Sequence, residues 1–85
     1  AVEHYQRAAE KRPNDARFQR NLGLAARKAE MGDLALKALA RSAQLDPKDY
    51  NVQLALAEEY QQRKMMDQAI LAYKAAAAIR PGEFV

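Results

Sequence analysis

Residues 19–47 read QRNLGLAARKAEMGDLALKALARSAQLDP, and residues 53–81 read QLALAEEYQQRKMMDQAILAYKAAAAIRP. Laid over one another at an offset of 34, the two stretches pair Leu22 with Leu56, Asp33 with Asp67, Ala35 with Ala69, Leu36 with Ile70 and Leu39 with Tyr73. The register extends backwards without an insertion, since Ala1, Val2, Tyr5 and Ala9 match Ala35, Leu36, Leu39 and Ala43. Pro13, Pro47 and Pro81 mark the period. A fixed repeat of this length is the mark of one supersecondary unit stacked on copies of itself, and such arrays hold partners rather than transform them.

Each unit carries two apolar stripes at helical spacing. Phe18, Leu22, Ala25, Ala26 and Ala29 fall on one face when each residue turns by about 100°. Ala35, Leu36, Leu39, Ala43 and Leu45 form a second stripe, repeated as Ala69, Ile70, Tyr73, Ala77 and Ile79. Asp15 and Asp49 follow the prolines, where an acidic side chain caps a helix start and suits its dipole. Asp33 and Asp67 are expected to cap the second helices in the same way. Met31-Gly32-Asp33 supplies the break between helices in one unit, and Lys64-Met65-Met66-Asp67, without glycine, is expected to do so under more strain. Each proline closes its unit, because it donates no backbone hydrogen bond and pushes the preceding residue out of the helical region.

These residues resemble the tetratricopeptide repeat (TPR) family, whose pattern runs Trp-x2-Leu-Gly-x2-Tyr, Ala-x3-Phe, Pro. The first complete unit has Gln19-x2-Leu22-Gly23-x2-Ala26, Ala35-x3-Leu39 and Pro47; the second has Gln53-x2-Leu56-Ala57-x2-Tyr60, Ala69-x3-Tyr73 and Pro81. Ala1-x3-Tyr5 and Pro13 make a leading half. Glutamine stands at both tryptophan places, Ala26 at one tyrosine and Ala57 at one close-packing glycine, so weaker packing inside the units is expected. The resemblance implies an all-α superhelix, or solenoid, of about five antiparallel helices. The expected divisions are the second helix of an incomplete repeat over 1–13, repeats over 14–47 and 48–81, and the start of a further repeat over 82–85. Ala1 aligns with Ala35, inside a second helix, and Phe84 with Tyr50, so a piece of a longer array is expected, a small self-standing domain being the alternative.

Composition bounds the function. Eighty-five residues with no cysteine make one domain without disulfide or thiolate chemistry. No apolar run approaches the ~18 residues of a membrane span, so no membrane insertion is expected. Catalysis finds no footing. His4 has no second ligand or nucleophile spaced to meet it and reads as a surface side chain. Glu58 and Glu59 point about 100° apart on a helix and read as a solvated face. Ser42 occupies a place held by Ala8 and Ala76 and reads as a small packing residue. Gly32 and Gly82 lack a glycine-rich phosphate cradle. No enzyme, cofactor or metal site is expected.

Binding is the better reading. The resemblance implies that the first helices of successive units line a concave groove for a partner's peptide. There the chain offers Arg17, Arg20, Asn21, Leu24, Arg27 and Lys28, then Asn51, Leu54, Ala55, Glu58, Gln61 and Gln62. One end is basic and the other nearly neutral. The expectation is a protein-protein interaction scaffold or adaptor taking an acidic peptide near the four cations, with Leu24 and Leu54 in apolar contact. The family's subclass that clamps chaperone C-terminal carboxylates is disfavoured, because Leu24 and Glu58 stand where it needs asparagine. Single-stranded RNA is the less favoured ligand: eleven acidic residues are interspersed with fourteen basic ones, and Tyr5, Tyr60 and Tyr73 fall at packing places rather than as exposed stacking rings. Self-association through exposed repeat ends is the alternative function.

Overall fold

A computed structural model describes residues 2–80, and within them lie five helices and no strand. They are α1 (Val2–Lys11), α2 (Ala16–Lys28), α3 (Gly32–Leu45), α4 (Tyr50–Gln62) and α5 (Met66–Ile79). The segment 82–85 expected to open a further repeat, with Ala1, Pro81 and Phe84, lies outside the described residues. Helices α2 and α3 form one hairpin and α4 and α5 another; α1 packs on α2, and α3 on α4. Each helix therefore touches its neighbours along the chain, the arrangement of a solenoid.

The helix starts follow the prolines. Asp15 accepts the backbone N–H of Arg17 at 3.0 Å, and Asp49 that of Val52 at 3.3 Å, so both cap as expected. Two further bonds recur with the period. Gln19 Nε2 donates to the carbonyl of Pro13 at 3.1 Å, and Gln53 Nε2 to that of Pro47 at 3.0 Å. The glutamines at the family's tryptophan places thus tie each first helix to the turn before it. That polar link replaces apolar packing, and Gln53 is buried while making it.

The turns inside the hairpins differ from expectation. Met31 and Met65 occupy the cap positions of α3 and α5 with no side-chain bond, and Asp33 and Asp67 lie inside the first turn. The backbone explains why no side-chain cap is needed. Both preceding helices end in a Schellman motif, with Met31 N–H on the Ala26 carbonyl at 2.8 Å and Met65 N–H on the Tyr60 carbonyl at 2.9 Å. The left-handed residue in each is Glu30, φ 60°, or Lys64, φ 61°. Gly32 has no positive φ, so both hairpins bear the same strain, with or without glycine. What Gly32 supplies is room: a Cβ there would meet Arg63 Nη2 at 2.9 Å, on the guanidinium that reaches Asp33 at 2.7 Å.

The core runs along the stack in two clusters. Ala9, Leu22 and Ala38 join α1, α2 and α3, with Val2, Phe18 and Leu34 packed around them. Leu39, Val52, Ala55 and Leu56 join α3 to α4, flanked by Leu24, Leu36 and Tyr60. Leu39 is wholly buried and sits over Gly23, where an added Cβ would come within 2.6 Å of its Cγ. Burial of one such side chain is worth about 1.5–3 kcal/mol. Tyr5, which matches Leu39, is instead 37% exposed: among the described residues α1 packs mainly on α2, whereas α3 packs on both α2 and α4. Ser42 is buried as expected and donates to the Ala16 carbonyl at 3.0 Å. His4 is exposed, edge-on to the Tyr5 ring.

Candidate functional site

The residues expected to bind a partner divide sharply once their contacts are known. Helix α2 presents Arg20 and Arg27 toward α4, and both find carboxylates there. Arg20 Nη1 lies 3.0 Å from Asp49 Oδ2. Arg27 places Nε 3.0 Å from Glu59 Oε1 and Nη2 3.3 Å from Glu58 Oε1. Glu58 and Glu59 diverge from α4, yet one guanidinium is wide enough to bridge them. Glu59 is buried rather than on a solvated face, and the cation makes that burial tolerable. Asp49 serves twice, capping α4 with one oxygen and holding Arg20 with the other.

Arg17 turns back on its own helix. Its Nε and Nη2 reach the two oxygens of Asp15 at 3.3 and 3.1 Å, with the side chain 73% exposed. The side-chain hydrogen bond from Arg17 holds the Asp15 carboxyl below its ordinary range, and the same bond raises the Arg17 pKa. Three of the four cations of the stripe are thus matched inside the chain. Lys28 is exposed and makes no ion pair among the described residues.

Two grooves adjoin along α2. One, of about 710 Å³, is lined by Leu24, Arg27 and Lys28 with Glu30 of the turn, Gly32 at the start of α3, and Glu59 and Gln62 of α4. The other, of about 610 Å³, is lined by Val2 and Tyr5 of α1 with Asn21, Leu24, Ala25, Lys28 and Ala29. Leu24 and Lys28 belong to both. The structure therefore brings Asn21, Leu24, Arg27, Lys28 and Gln62 together. Arg17, Arg20, Asn51, Leu54, Glu58 and Gln61 line neither groove; Asn51 is exposed, Leu54 half-buried, and Gln61 accepts the Tyr73 hydroxyl at 2.8 Å. Ala55, placed by sequence on the polar face, is a core residue at 3% exposure. The sequence reading missed Glu59, Glu30, Val2 and Tyr5. For Glu59 the signal was present, as an acid on the helix following a run of basic residues.

No protein-family model matches the chain, and no curated protein does. Among solved structures it is similar to MamA MSR-1, at 28% identity and a TM-score of 0.84, over 94% of this chain and 46% of that one. It is also similar to MamA AMB-1, at 28% identity and a TM-score of 0.87, over 94% of this chain and 44% of that one. The chain spans less than half the length of the structures it matches. MamA is a TPR-containing protein, and the likeness supports a TPR-like helical-repeat fold of the scaffold type.

Proposed function

We propose that this chain is a non-catalytic interaction module whose two adjoining grooves along α2 hold a peptide segment of a partner protein. The observation that supports this most is the contrast on that face: among the described residues Arg17, Arg20 and Arg27 are matched by carboxylates, and Lys28 is not. A peptide with one carboxylate suits Lys28 better than a long acidic run suits the whole stripe. An apolar side chain next to that carboxylate would rest on Leu24, which lines both grooves. Asn21 and Gln62 supply neutral hydrogen-bonding groups at the margins. The Arg27 bridge to Glu58 and Glu59 is a fixed floor that pins α2 to α4 and keeps the walls in register.

The test is a peptide selected on the immobilised protein from a random library and measured by titration calorimetry at two salt concentrations. Lys28→Gln is expected to weaken it about tenfold and to flatten its salt dependence, since one cation is lost. Leu24→Ala is expected to weaken it without touching the salt dependence. Selected peptides indifferent to both substitutions would show that the binding face lies elsewhere.

A further inference from the structure

Helix α5 is apolar on a side where its counterparts are polar. Leu71 is 66% exposed, the most exposed large hydrophobic residue described, and it matches Lys37 of α3 and Glu3 of α1. On the outward face of α3 run Asp33, Lys37 and Gln44, all exposed; on that of α5 run Asp67, Leu71, Lys74 and Ala78, also exposed. A helix stacked on α5 as α4 stacks on α3 would not cover Leu71. It would cover Ile70, because Leu36, the residue matching Ile70, packs against the cluster shared with α4. Lys37 stays exposed with α4 in place. Leu71 thus calls for a contact that the repeat itself does not provide.

The charges around it identify the occupant. Asp67 lies one turn before Leu71 and Lys74 one turn after, on the same face, and neither makes an ion pair among the described residues. The face is acidic at one end, apolar in the middle and basic at the other, so it is complementary to itself when reversed. We propose that α5 pairs antiparallel with α5 of a second copy of this chain across a two-fold axis beside Leu71. Residues four before and three after the axis lie ~6 and ~5 Å from it along the helix. Asp67 of each copy then faces Lys74 of the other, twice, as an isologous interface requires. The Leu71 side chains of the two copies meet in the centre. Beside them is a groove of about 210 Å³ lined by Gln53, Leu56, Tyr60, Gln68, Leu71 and Ala72, with no charged side chain, which can take the partner's apolar side chains. One helix face is a small interface, so the pairing is weak and depends on concentration. It leaves the grooves along α2 open, so two copies would present two peptide sites, and it does not rest on the proposed peptide binding.

Sedimentation equilibrium from about 5 to 500 µM tests it. Dimerisation is expected in the wild type. Leu71→Lys, which installs the residue α3 carries at this place, is expected to weaken it at least about tenfold, with helicity by circular dichroism unchanged. Lys74→Asp alone is expected to weaken it, and the double exchange Asp67→Lys with Lys74→Asp to restore it, since only an antiparallel pairing regains both contacts. A wild type monomeric throughout, association that survives Leu71→Lys, or a double exchange that recovers nothing would each overturn the proposal.

Discussion

The two complete hairpins have the same backbone and different chemistry. Both start at an aspartate cap, both hold a glutamine on the carbonyl of the preceding proline, and both turn through a left-handed residue at the same place. In the α2–α3 hairpin a glycine lies under a fully buried leucine; in the α4–α5 hairpin Ala57 and Tyr73 take their places, and the tyrosine hydroxyl bonds back to Gln61. Helix α2 sends Arg20 and Arg27 forward onto α4, where α4 carries Leu54 and Gln61 at the same positions. The shared features are those that fix where helices begin and end. The variable ones decide how tightly each hairpin closes and what it offers to a neighbour.

The largest expected difference between the hairpins is at the glycine. In Gly23→Ala the new Cβ would stand 2.6 and 2.7 Å from Leu39 Cγ and Cδ2, and 3.2 Å from the Leu39 backbone nitrogen. Leu39 is wholly buried, so its branch point has nowhere to go. The gain of about 0.5–1 kcal/mol from a better helix former is outweighed, and a net loss of about 1–2 kcal/mol is expected in urea unfolding. Ala57→Gly tests the other hairpin, where the alanine is already accommodated and its loss should cost about 0.5–1 kcal/mol. Equal and small effects at both sites would mean that the α2–α3 contact yields more easily than its distances imply.

A smaller effect, of opposite sign, should be the same in both hairpins. Glu30 and Lys64 adopt a left-handed conformation that disfavours a side chain. Glu30→Gly and Lys64→Gly are each expected to raise stability by up to about 1 kcal/mol, the relief of that strain less the extra freedom of glycine in the unfolded chain. A gain at only one site would show that the two turns, alike in backbone, are not alike in energy.

How much of this was readable from sequence depends on whether a feature repeats. The helices, their approximate ends and the caps at Asp15 and Asp49 were legible, because a period of 34 presents each boundary more than once. The Schellman turns were not, since they are set by backbone hydrogen bonds and their left-handed residues, Glu30 and Lys64, are not glycine. Gly32 drew attention to the wrong position. At the candidate site, the α2 stripe was visible as residues on one face, but its free charge was not. Arg20 and Arg27 are matched by acids 29 and 32 positions later on the next helix, and reading one helix face at a time does not bring such partners together. Leu71 shows the converse: it looks like one more apolar residue in an apolar helix until Lys37 is laid over it.

The smallest expected effect concerns Arg17, whose bond to Asp15 is confined to the first hairpin's entrance. The hydrogen bond from Arg17 lowers the folded-state pKa of Asp15 from the ordinary aspartate value of 3.8. A carboxyl lowered in this way contributes stability that is present above its unfolded-state value and lost as the pH falls through its folded-state value. The contact is exposed, so salt screens it. Wild type and Arg17→Ala should therefore differ slightly at pH 6 in low salt, and the difference should shrink as the pH falls through the lowered folded-state value of Asp15 and the carboxyl takes up its proton. At Asp49 the carboxylate is shared between the α4 cap and Arg20, and it links two first helices rather than one helix to itself. Arg20→Ala should consequently loosen the junction between hairpins, seen as faster amide exchange at the start of α4, whereas Arg17→Ala leaves exchange there unchanged. If the Arg17→Ala difference stayed constant as the pH fell from 6 through acid unfolding, its side chain would be acting through packing and not through the Asp15 charge.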